Sequence, residues 1–279
     1  MVNMESEMSD ERDVAPAPRD GLTAAARRGE LVRYIETHSV ARAEELAEAF
    51  AVSAMTIHRD LDVLSREGLI ERIRGGARAL PHAFIERDVR LRRATKVNEK
   101  LALARAAAAL IRAGDMVAID DSTTAAAMLP VLAARAPSTV ITHSLALMHD
   151  LTQAHPEIKL LGLGGQYFPE TDSFLGTVVI EQIKRISADV VFISTTSVKN
   201  DALFHPDAEA ARTKQALIEM ADRKVLLVDG SKFGAKGLHH VVDLEVFDDI
   251  LVSADLPAEH RAQLDRLDVA VQYVPTPEP

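Results

Sequence analysis

The sequence predicts a two-domain protein. A small, mostly helical N-terminal domain with a β wing is followed by a larger α/β domain built on a largely parallel sheet. Three observations predict it. The chain has 279 residues, more than one ordinary domain of roughly 100–200 residues holds. Residues 22–67 carry helical periodicity and lead into a short strand-like run and a Gly-Gly turn. From Gly114 onward, apolar strand-like runs alternate with helical stretches, the pattern of a parallel sheet covered by helices.

Composition narrows the class. Hydrophobic residues make up 47% and charged residues 27%, as expected of a globular chain with a sizeable core. There is no cysteine, which excludes disulfides, Cys-ligated zinc, iron–sulfur clusters and thiol catalysis, and agrees with a reducing compartment. No run approaches the roughly 18 apolar residues of a membrane span. The opening MVNMESEMSDERD is acidic and lacks the apolar core of a secretion signal. The expectation is a cytoplasmic protein without membrane contact. The net charge of −10 is uneven: −4 over residues 1–20, zero over 21–80, +3 over 81–100 and −9 beyond. An acidic total argues weakly against nucleic-acid binding, and the neutral-to-basic segment past the tail weakens that objection. All nine Lys/Arg positions in 21–80 are Arg, the better fork for phosphates and guanine edges.

Taken in order, residues 1–21 are acidic, aperiodic and contain Pro16 and Pro18, and read as a disordered tail, as do residues 275–279. In the domain at 22–80, Leu31, Val32 and Ile35 mark the apolar stripe of a first helix, and Ala43–Phe50 a short second one. Ser53 is a good N-cap for a third, with Val52 and Ile57 at the two positions of a hydrophobic staple. Ile57, Leu61 and Leu64 keep helical spacing, and Gly68 ends the helix. Leu69–Arg74 reads as a strand closed by Gly75-Gly76, so the unit is a winged helix-turn-helix. Residues 81–100 read as a charged linker and helix start, and 97–112 as helix. Within 101–274 the expected strands are Met116–Asp120, Thr139–Thr142, Lys159–Leu163, Asp189–Ser194, Lys224–Asp229, Ile250–Ser253 and Val269–Val274. Helices are expected at about 124–134, 145–155, 176–187, 207–222 and 257–266.

The third helix carries a candidate nucleic-acid face. With Ile57 toward the core and 100° per residue, Met55 and Arg59 point outward and Thr56 and His58 flank them. A recognition helix enters the major groove with its N-terminal residues toward the bases. Ser53, Met55, Thr56, His58 and Arg59 are therefore candidate DNA contacts, with Arg59 suited to guanine or to a phosphate. Arg72, Arg74 and Arg78, on and just after the wing, are candidates to hold the backbone. The alternative is a solvated charged face, since Asp60 and Asp62 share the helix.

The stretch AEELAEAFAVSAMTIHRDLDVLSREGLIERIRGGA resembles the N-terminal signature of the DeoR family of bacterial transcriptional regulators. The family's usual core reads roughly Val-Ser-x-x-Thr-Ile-Arg-Arg-Asp-Leu, then Leu-x-x-x-Gly-Leu-Ile, then Gly-Gly-Ala. This chain supplies Val52-Ser53, Thr56-Ile57, Arg59-Asp60-Leu61, Gly68-Leu69-Ile70 and Gly75-Gly76-Ala77. His58 stands where the family usually has its first Arg, which removes a fixed charge and opens base preference or affinity to pH. The C-terminal half resembles the family's effector domain, so the resemblance covers about residues 24–274. That domain is similar in fold to ribose-5-phosphate isomerase and glucosamine-6-phosphate deaminase, a Rossmann-like α/β arrangement.

Ligands of open α/β sheets bind beyond the carboxyl ends of the strands. Asp120-Asp121-Ser122-Thr123-Thr124 follows a strand and opens a helix, where hydroxyls and free N–H groups hold an anion or simply cap the helix. It is similar to the family's Asp-x-Ser-Thr-Thr. Asp120 could accept hydrogen bonds from sugar hydroxyls, whereas Asp121 would repel a phosphate unless it points away. Thr142-His143-Ser144 stands where the family usually has Thr-Asn-Ser, so His143 either reads a different effector group or caps the next helix. Gly164-Gly165 resembles the family's Gly-Gly after a strand, where small residues admit a ligand to the backbone. The spacing of a nicotinamide-binding GxGxxG is absent. The resemblance adds Thr196, Lys214, Asp229, Ser231 and Lys232, with the two lysines placed to neutralise a phosphate or anchor hydroxyls. Gly230 replaces the family's first Ser. His239-His240 lack further ligands at metal-binding spacing, so no metal and no cofactor is expected.

The resemblance implies a homo-oligomeric regulator, a dimer or tetramer, that represses a sugar or polyol catabolic operon. A phosphorylated sugar effector would control its hold on double-stranded operator DNA by binding one form more tightly. The rival reading is an enzyme, a sugar-phosphate isomerase or deaminase with an appended DNA-binding domain. Asp120, Asp121 and Glu209 offer carboxylates, but isomerisation needs a positioned base beside the sugar carbon. No complete acid–base set stands at family spacing, so no catalytic residue is assigned.

Overall fold

The computed structural model describes residues 23–66, 69–79 and 89–276. The expected tail at 1–21, Gly68, the first part of the expected linker and the last three residues lie outside the described residues. The chain divides into two compact units, residues 1–81 and 82–279.

The first unit runs α1 (Ala24–His38), β1 (Val40–Arg42), α2 (Ala43–Ala49), α3 (Ala54–Arg66), β2 (Ile70–Ile73) and β3 (Gly76–Ala79). The apolar stripes read from the sequence converge: Leu31, Ile35, Leu46, Ile57 and Leu61 are fully buried, with Phe50 and Leu64 beside them. The Thr56 backbone N–H donates to Ser53 Oγ at 3.1 Å, which satisfies one of the donors orphaned at a helix start. The wing has three strands, in the antiparallel order β1-β3-β2. The three residues of β1 are too few to carry a readable period. A Cβ at Gly76 would lie 2.2 Å from the Ala41 carbonyl oxygen, so glycine is what lets β1 and β3 pair. Gly75 turns the chain at φ +80°, a conformation that favours glycine.

The second unit opens with α4 (Val89–Ala94) and α5 (Val97–Ala108), then β4 (Met116–Ile119), α6 (Thr123–Ala126), α7 (Leu129–Leu132), β5 (Thr139–Thr142), α8 (Leu145–Ala154) and β6 (Lys159–Gly162). A hairpin follows, β7 (Gln166–Phe168) and β8 (Ser173–Leu175), then α9 (Thr177–Ile183) and β9 (Ala188–Ile193). The chain continues through β10 (Ser197–Lys199), β11 (Ala202–His205), α10 (Ala208–Glu219), β12 (Ala221–Val228), β13 (His239–Asp243), β14 (Asp249–Ser253), α11 (Ala258–Leu264) and β15 (Ala270–Val274).

All seven expected strands form one sheet, in the order β15-β14-β12-β9-β4-β5-β6, and every pairing in it is parallel. Successive residues point to opposite faces. On β9, Val191 and Ile193 enter one apolar layer while Val190 and Phe192 enter the other. The chain runs outward from β4 through β5 to β6, then returns to place β9 on the other side of β4. Such a reversal, here at the carboxyl ends of β4 and β9, is where α/β sheets bind ligands.

Two expectations are corrected. The helix expected at 124–134 is broken into α6, α7 and a 3₁₀ turn at Ala133–Arg135. Pro130 lacks an N–H and its ring clashes with the preceding turn, which prevents one continuous helix. The hairpin β7–β8 and the antiparallel sheet β10-β11-β13 were not foreseen. Their three- to five-residue strands have no long apolar run to announce them.

Candidate functional site

On α3, Met55 is 68% exposed, Ser53 and Arg59 are exposed, and Thr56 and His58 are half-buried. Asp60 does not belong to a solvated face. It is buried and paired with Arg27 Nε at 2.7 Å and Arg28 Nε at 3.8 Å, which removes one negative charge from the outward surface. The three wing arginines differ. Arg72 donates to the Gly76 carbonyl at 3.0 Å and to His58 Nδ1 at 3.1 Å, and pairs with Asp62 at 3.2 Å. Arg78 forks onto Glu71 at 2.7 and 2.8 Å, its cross-strand neighbour. Arg59 and Arg74 are exposed and make no hydrogen bond or ion pair with the described residues.

In the second unit, the loop after β4 meets α10 in a buried polar knot. Lys214 Nζ donates to Asp120 Oδ2 at 2.6 Å and to Asp121 Oδ1 at 2.9 Å. Asp120 also accepts from the Ser194 backbone N–H at 3.1 Å and from the N–H and hydroxyl of Ser122 at 3.0 and 2.5 Å. Asp121 Oδ2 accepts from Ser173 Oγ at 2.9 Å, which is in turn bonded to Thr171 Oγ1 at 2.7 Å. Burial works against charge on Asp121, yet the ammonium of Lys214 and the His143 ring hold its carboxyl well below the usual range. Burial likewise works against charge on Lys214, but the two carboxylates hold its pKa above the ordinary lysine value. The two carboxylates share the Lys214 ammonium, and the Arg92 guanidinium also acts on Asp121.

His143 is fully buried, with Nδ1 2.9 Å from the Phe174 carbonyl oxygen and Nε2 3.9 Å from Asp121 Oδ1. The caps in these loops are occupied. Ser122 Oγ accepts from the Ala125 N–H at 3.1 Å, Ser144 Oγ from the Leu147 N–H at 3.3 Å, and Thr142 Oγ1 from the Ser144 N–H at 3.1 Å. Thr124 is buried and Thr196 half-buried. The close approach at Gly165 is to the protein itself: a Cβ there would lie 2.7 Å from a Val179 methyl. Gly164 is tied at both backbone groups to the Gln182 side chain, at 3.3 and 2.6 Å.

A cluster of lysines and carboxylates that sequence reasoning missed reaches the start of α6 through Lys100. Lys100 Nζ, on α5, donates to Thr123 Oγ1 at 3.0 Å and to the Arg92 carbonyl. Burial, with the nearby charges of Lys232 and Arg92, pulls its pKa down to about 7, although Asp229 and Glu99 oppose this. Asp229 accepts from the Ser231 N–H at 3.0 Å and from the Ser231 hydroxyl, and lies 3.5 Å from Lys96 and 3.9 Å from Lys232. Burial pushes its carboxyl up, but the two lysines and Ser231 bring it below the usual value. Lys100 and Thr123 also line a cleft of about 210 Å³ with Arg93, Leu101, Leu147 and Asp150. A lysine at a buried helical position looks in the sequence like any other helix lysine, so only the +3 charge of residues 81–100 hinted at the cluster. Among the described residues, no group of three or more His, Asp or Glu could hold a metal ion, and no helix is long and apolar enough to cross a membrane.

A winged helix-turn-helix carried in one chain with an α/β unit whose polar loops gather at its strand-order reversal is the plan of a two-part transcriptional regulator. Comparison with known proteins gives the family. Residues 27–82 match the DeoR-like helix-turn-helix domain and residues 95–254 the DeoR C terminal sensor domain, and the chain belongs to the DeoR family. Among its relatives, the glycerol-3-phosphate regulon repressor of Escherichia coli is 28% identical over 84% of this chain and 96% of its own. An uncharacterised HTH-type regulator of Bacillus subtilis, FruR, is 31% identical over 73% of this chain and 81% of its own. The putative aga operon transcriptional repressor of E. coli O157:H7 is 25% identical over 89% and 93%. Ribose 5-phosphate isomerase A of Methanocaldococcus jannaschii is similar over 49% of this chain and 54% of its own, with 20% identity and a TM-score of 0.36.

Proposed function

We propose that this DNA-binding regulator represses a sugar or polyol catabolic operon from the cytoplasm, as a homo-oligomer, and that a phosphorylated sugar or polyol in the second unit controls its hold on operator DNA. In the DNA-binding unit, α3 presents Met55 and Arg59 to base edges, flanked by Ser53, Thr56 and His58, while Arg74 takes a backbone phosphate. Arg72 and Arg78 contribute only by exchanging an internal partner for DNA.

One observation supports the effector reading most: the loop Asp120–Thr124 carries two carboxylates at one end and meets a lysine at the hydroxyl of the other. At one end the Asp120 and Asp121 carboxylates share one ammonium, and at the other Lys100 donates to Thr123, with Lys232 and Lys96 placed against the neighbouring Asp229. A molecule with a phosphate at one end and hydroxyls at the other suits this division. The phosphate belongs with Lys100 and Thr123, beside the cleft that those two residues line. Lys214 is already held by two carboxylates, so its part is to fix Asp120 and Asp121 rather than to meet the phosphate. The same bonding supports a non-enzymatic role, since a carboxylate held charged by a buried ammonium is a poor general base near neutral pH.

Thermal melting of the full chain against sugar phosphates, polyol phosphates and their unphosphorylated parents tests this, because a ligand that binds the native state raises Tm. A phosphorylated compound should raise Tm where its parent does not, and should change affinity for operator DNA. If only parents act, or nothing does, the reading fails.

A further inference from the structure

We propose that His143 decides which effector this sensor accepts, by taking a hydrogen bond at Nε2 from a hydroxyl or amino group of the ligand. This deepens the effector reading above and rests on it. The argument begins at Nδ1, which lies 2.9 Å from the Phe174 carbonyl oxygen. A carbonyl only accepts, so Nδ1 carries the ring proton. In the neutral ring Nε2 is then a bare acceptor. It is fully buried and has no hydrogen-bond partner among the described residues. The nearest charged atom, Asp121 Oδ1 at 3.9 Å, is itself an acceptor already engaged by Lys214.

Two acceptors facing each other across 3.9 Å call for a donor placed against both, and a buried acceptor without one is destabilising. The group facing it is the Asp121 carboxylate, which Asp120 adjoins and on which the Lys214 ammonium and the Arg92 guanidinium act, so on this side the ring meets an acceptor. A further acceptor is therefore unwelcome here, and a donor fits. This assigns the end of the ligand opposite the phosphate: a hydroxyl, or an amine, which brings more than one donor.

Asparagine, the residue the family usually carries at this position, reaches only as far as Nδ1. It could keep the bond to Phe174 and would offer nothing at Nε2. Glutamine reaches further and restores an acceptor there. The experiment uses full-length wild type, His143→Asn and His143→Gln. Each is titrated calorimetrically with glucose 6-phosphate, glucosamine 6-phosphate, sorbitol 6-phosphate and glycerol 3-phosphate, and with deoxy analogues of whichever binds, the hydroxyls being removed singly. Wild type should prefer one donor-bearing ligand over its deoxy partner by about tenfold or more. His143→Asn should lose most of that preference while still binding the phosphorylated compounds, and His143→Gln should recover part of it. Tighter binding of the amino than of the hydroxy compound by wild type alone would assign an amine as the donor. If His143→Asn binds with every preference unchanged, the proposal is overturned and the effector reading stands. If no phosphorylated compound binds wild type, the effector reading falls and takes the proposal with it.

Discussion

Arg72 of the wing donates a hydrogen bond to His58 of the recognition helix across 3.1 Å. A guanidinium has no acceptor, so His58 Nδ1 carries no proton in this arrangement. An arginine at position 58, the residue usual in the family, would meet Arg72 donor to donor. His58→Arg is therefore expected to release Arg72 toward DNA and to add its own charge. Binding of a random-sequence duplex, followed by fluorescence anisotropy at several salt concentrations, should show a log–log slope steeper by about one to two. An unchanged slope would mean that His58 does not restrain Arg72.

Arg59 and Ile57 separate reading from folding. Arg59→Ala removes an exposed side chain with no internal partner. Operator affinity should fall by about 1–3 kcal/mol with Tm unaltered. Ile57→Ala removes a fully buried side chain and should cost about 2–5 kcal/mol of stability. Anisotropy with a selected operator and a thermal melt of each variant distinguish the two, and a Tm drop in Arg59→Ala would contradict the assignment.

Lys214→Met leaves two carboxylates buried without their cation. Loss of one partner of a buried ion pair typically costs about 3–5 kcal/mol. The pH dependence has a definite sign. In the wild type, Asp121 is held below its ordinary pKa, so its stabilising contribution is present above the unfolded value and is lost as pH falls. In the variant the carboxylates favour protonation, and protonation relieves them. The deficit should shrink between pH 7.5 and pH 5 in urea unfolding. A deficit that grows on acidification would refute the charge assignment.

Lys100, with a pKa near 7, is partly uncharged at neutral pH. A phosphate placed beside it would favour the ammonium against the combined effect of burial, Lys232 and Arg92, with Asp229 and Glu99 already helping. Binding should therefore take up a proton. Affinity should be greatest below about pH 7 and decline as pH rises toward the raised pKa of the complex. Calorimetry in two buffers of different ionisation enthalpy measures the uptake directly, and Lys100→Met should abolish it. Equal heats in the two buffers for wild type would show that the phosphate does not lie against Lys100.

Much of the scaffold was legible because it is local. The seven strands of the main sheet follow from apolar runs bounded by turn residues. The start of α3 follows from Ser53 before Thr56, and the capping of α6 from the hydroxyl run Ser122–Thr124, whereas α8 is capped by Ser144 and not by His143, whose ring turns to the Phe174 carbonyl. The loop Asp120–Thr124 stood out because its polar residues are contiguous, a pattern that fits a helix cap as well as a ligand loop, and the family resemblance singled it out. Less was legible where an element is short or its partner distant. β1 is three residues long and exists only because Gly76 admits it against β3. Gly165 read as a place for a ligand to approach, and the structure fills that place with Val179.

The sequence by itself determined the two-unit plan, the exposed face of α3 and the strand ends around which the polar loops gather. Each depends on sterics and hydrophobic period between near neighbours along the chain. Only the tertiary structure decided which charges meet. Lys214 joins Asp120 across 94 positions and Lys100 joins Thr123 across 23, while Ser173 reaches Asp121 across 52. A lysine on a helix has the same local pattern whether it ends in water or between two buried carboxylates. The difference arises from strand order, which brings the carboxyl ends of β4 and β9 together beneath α10 and takes their polar groups out of water, so that each must find its partner inside the protein.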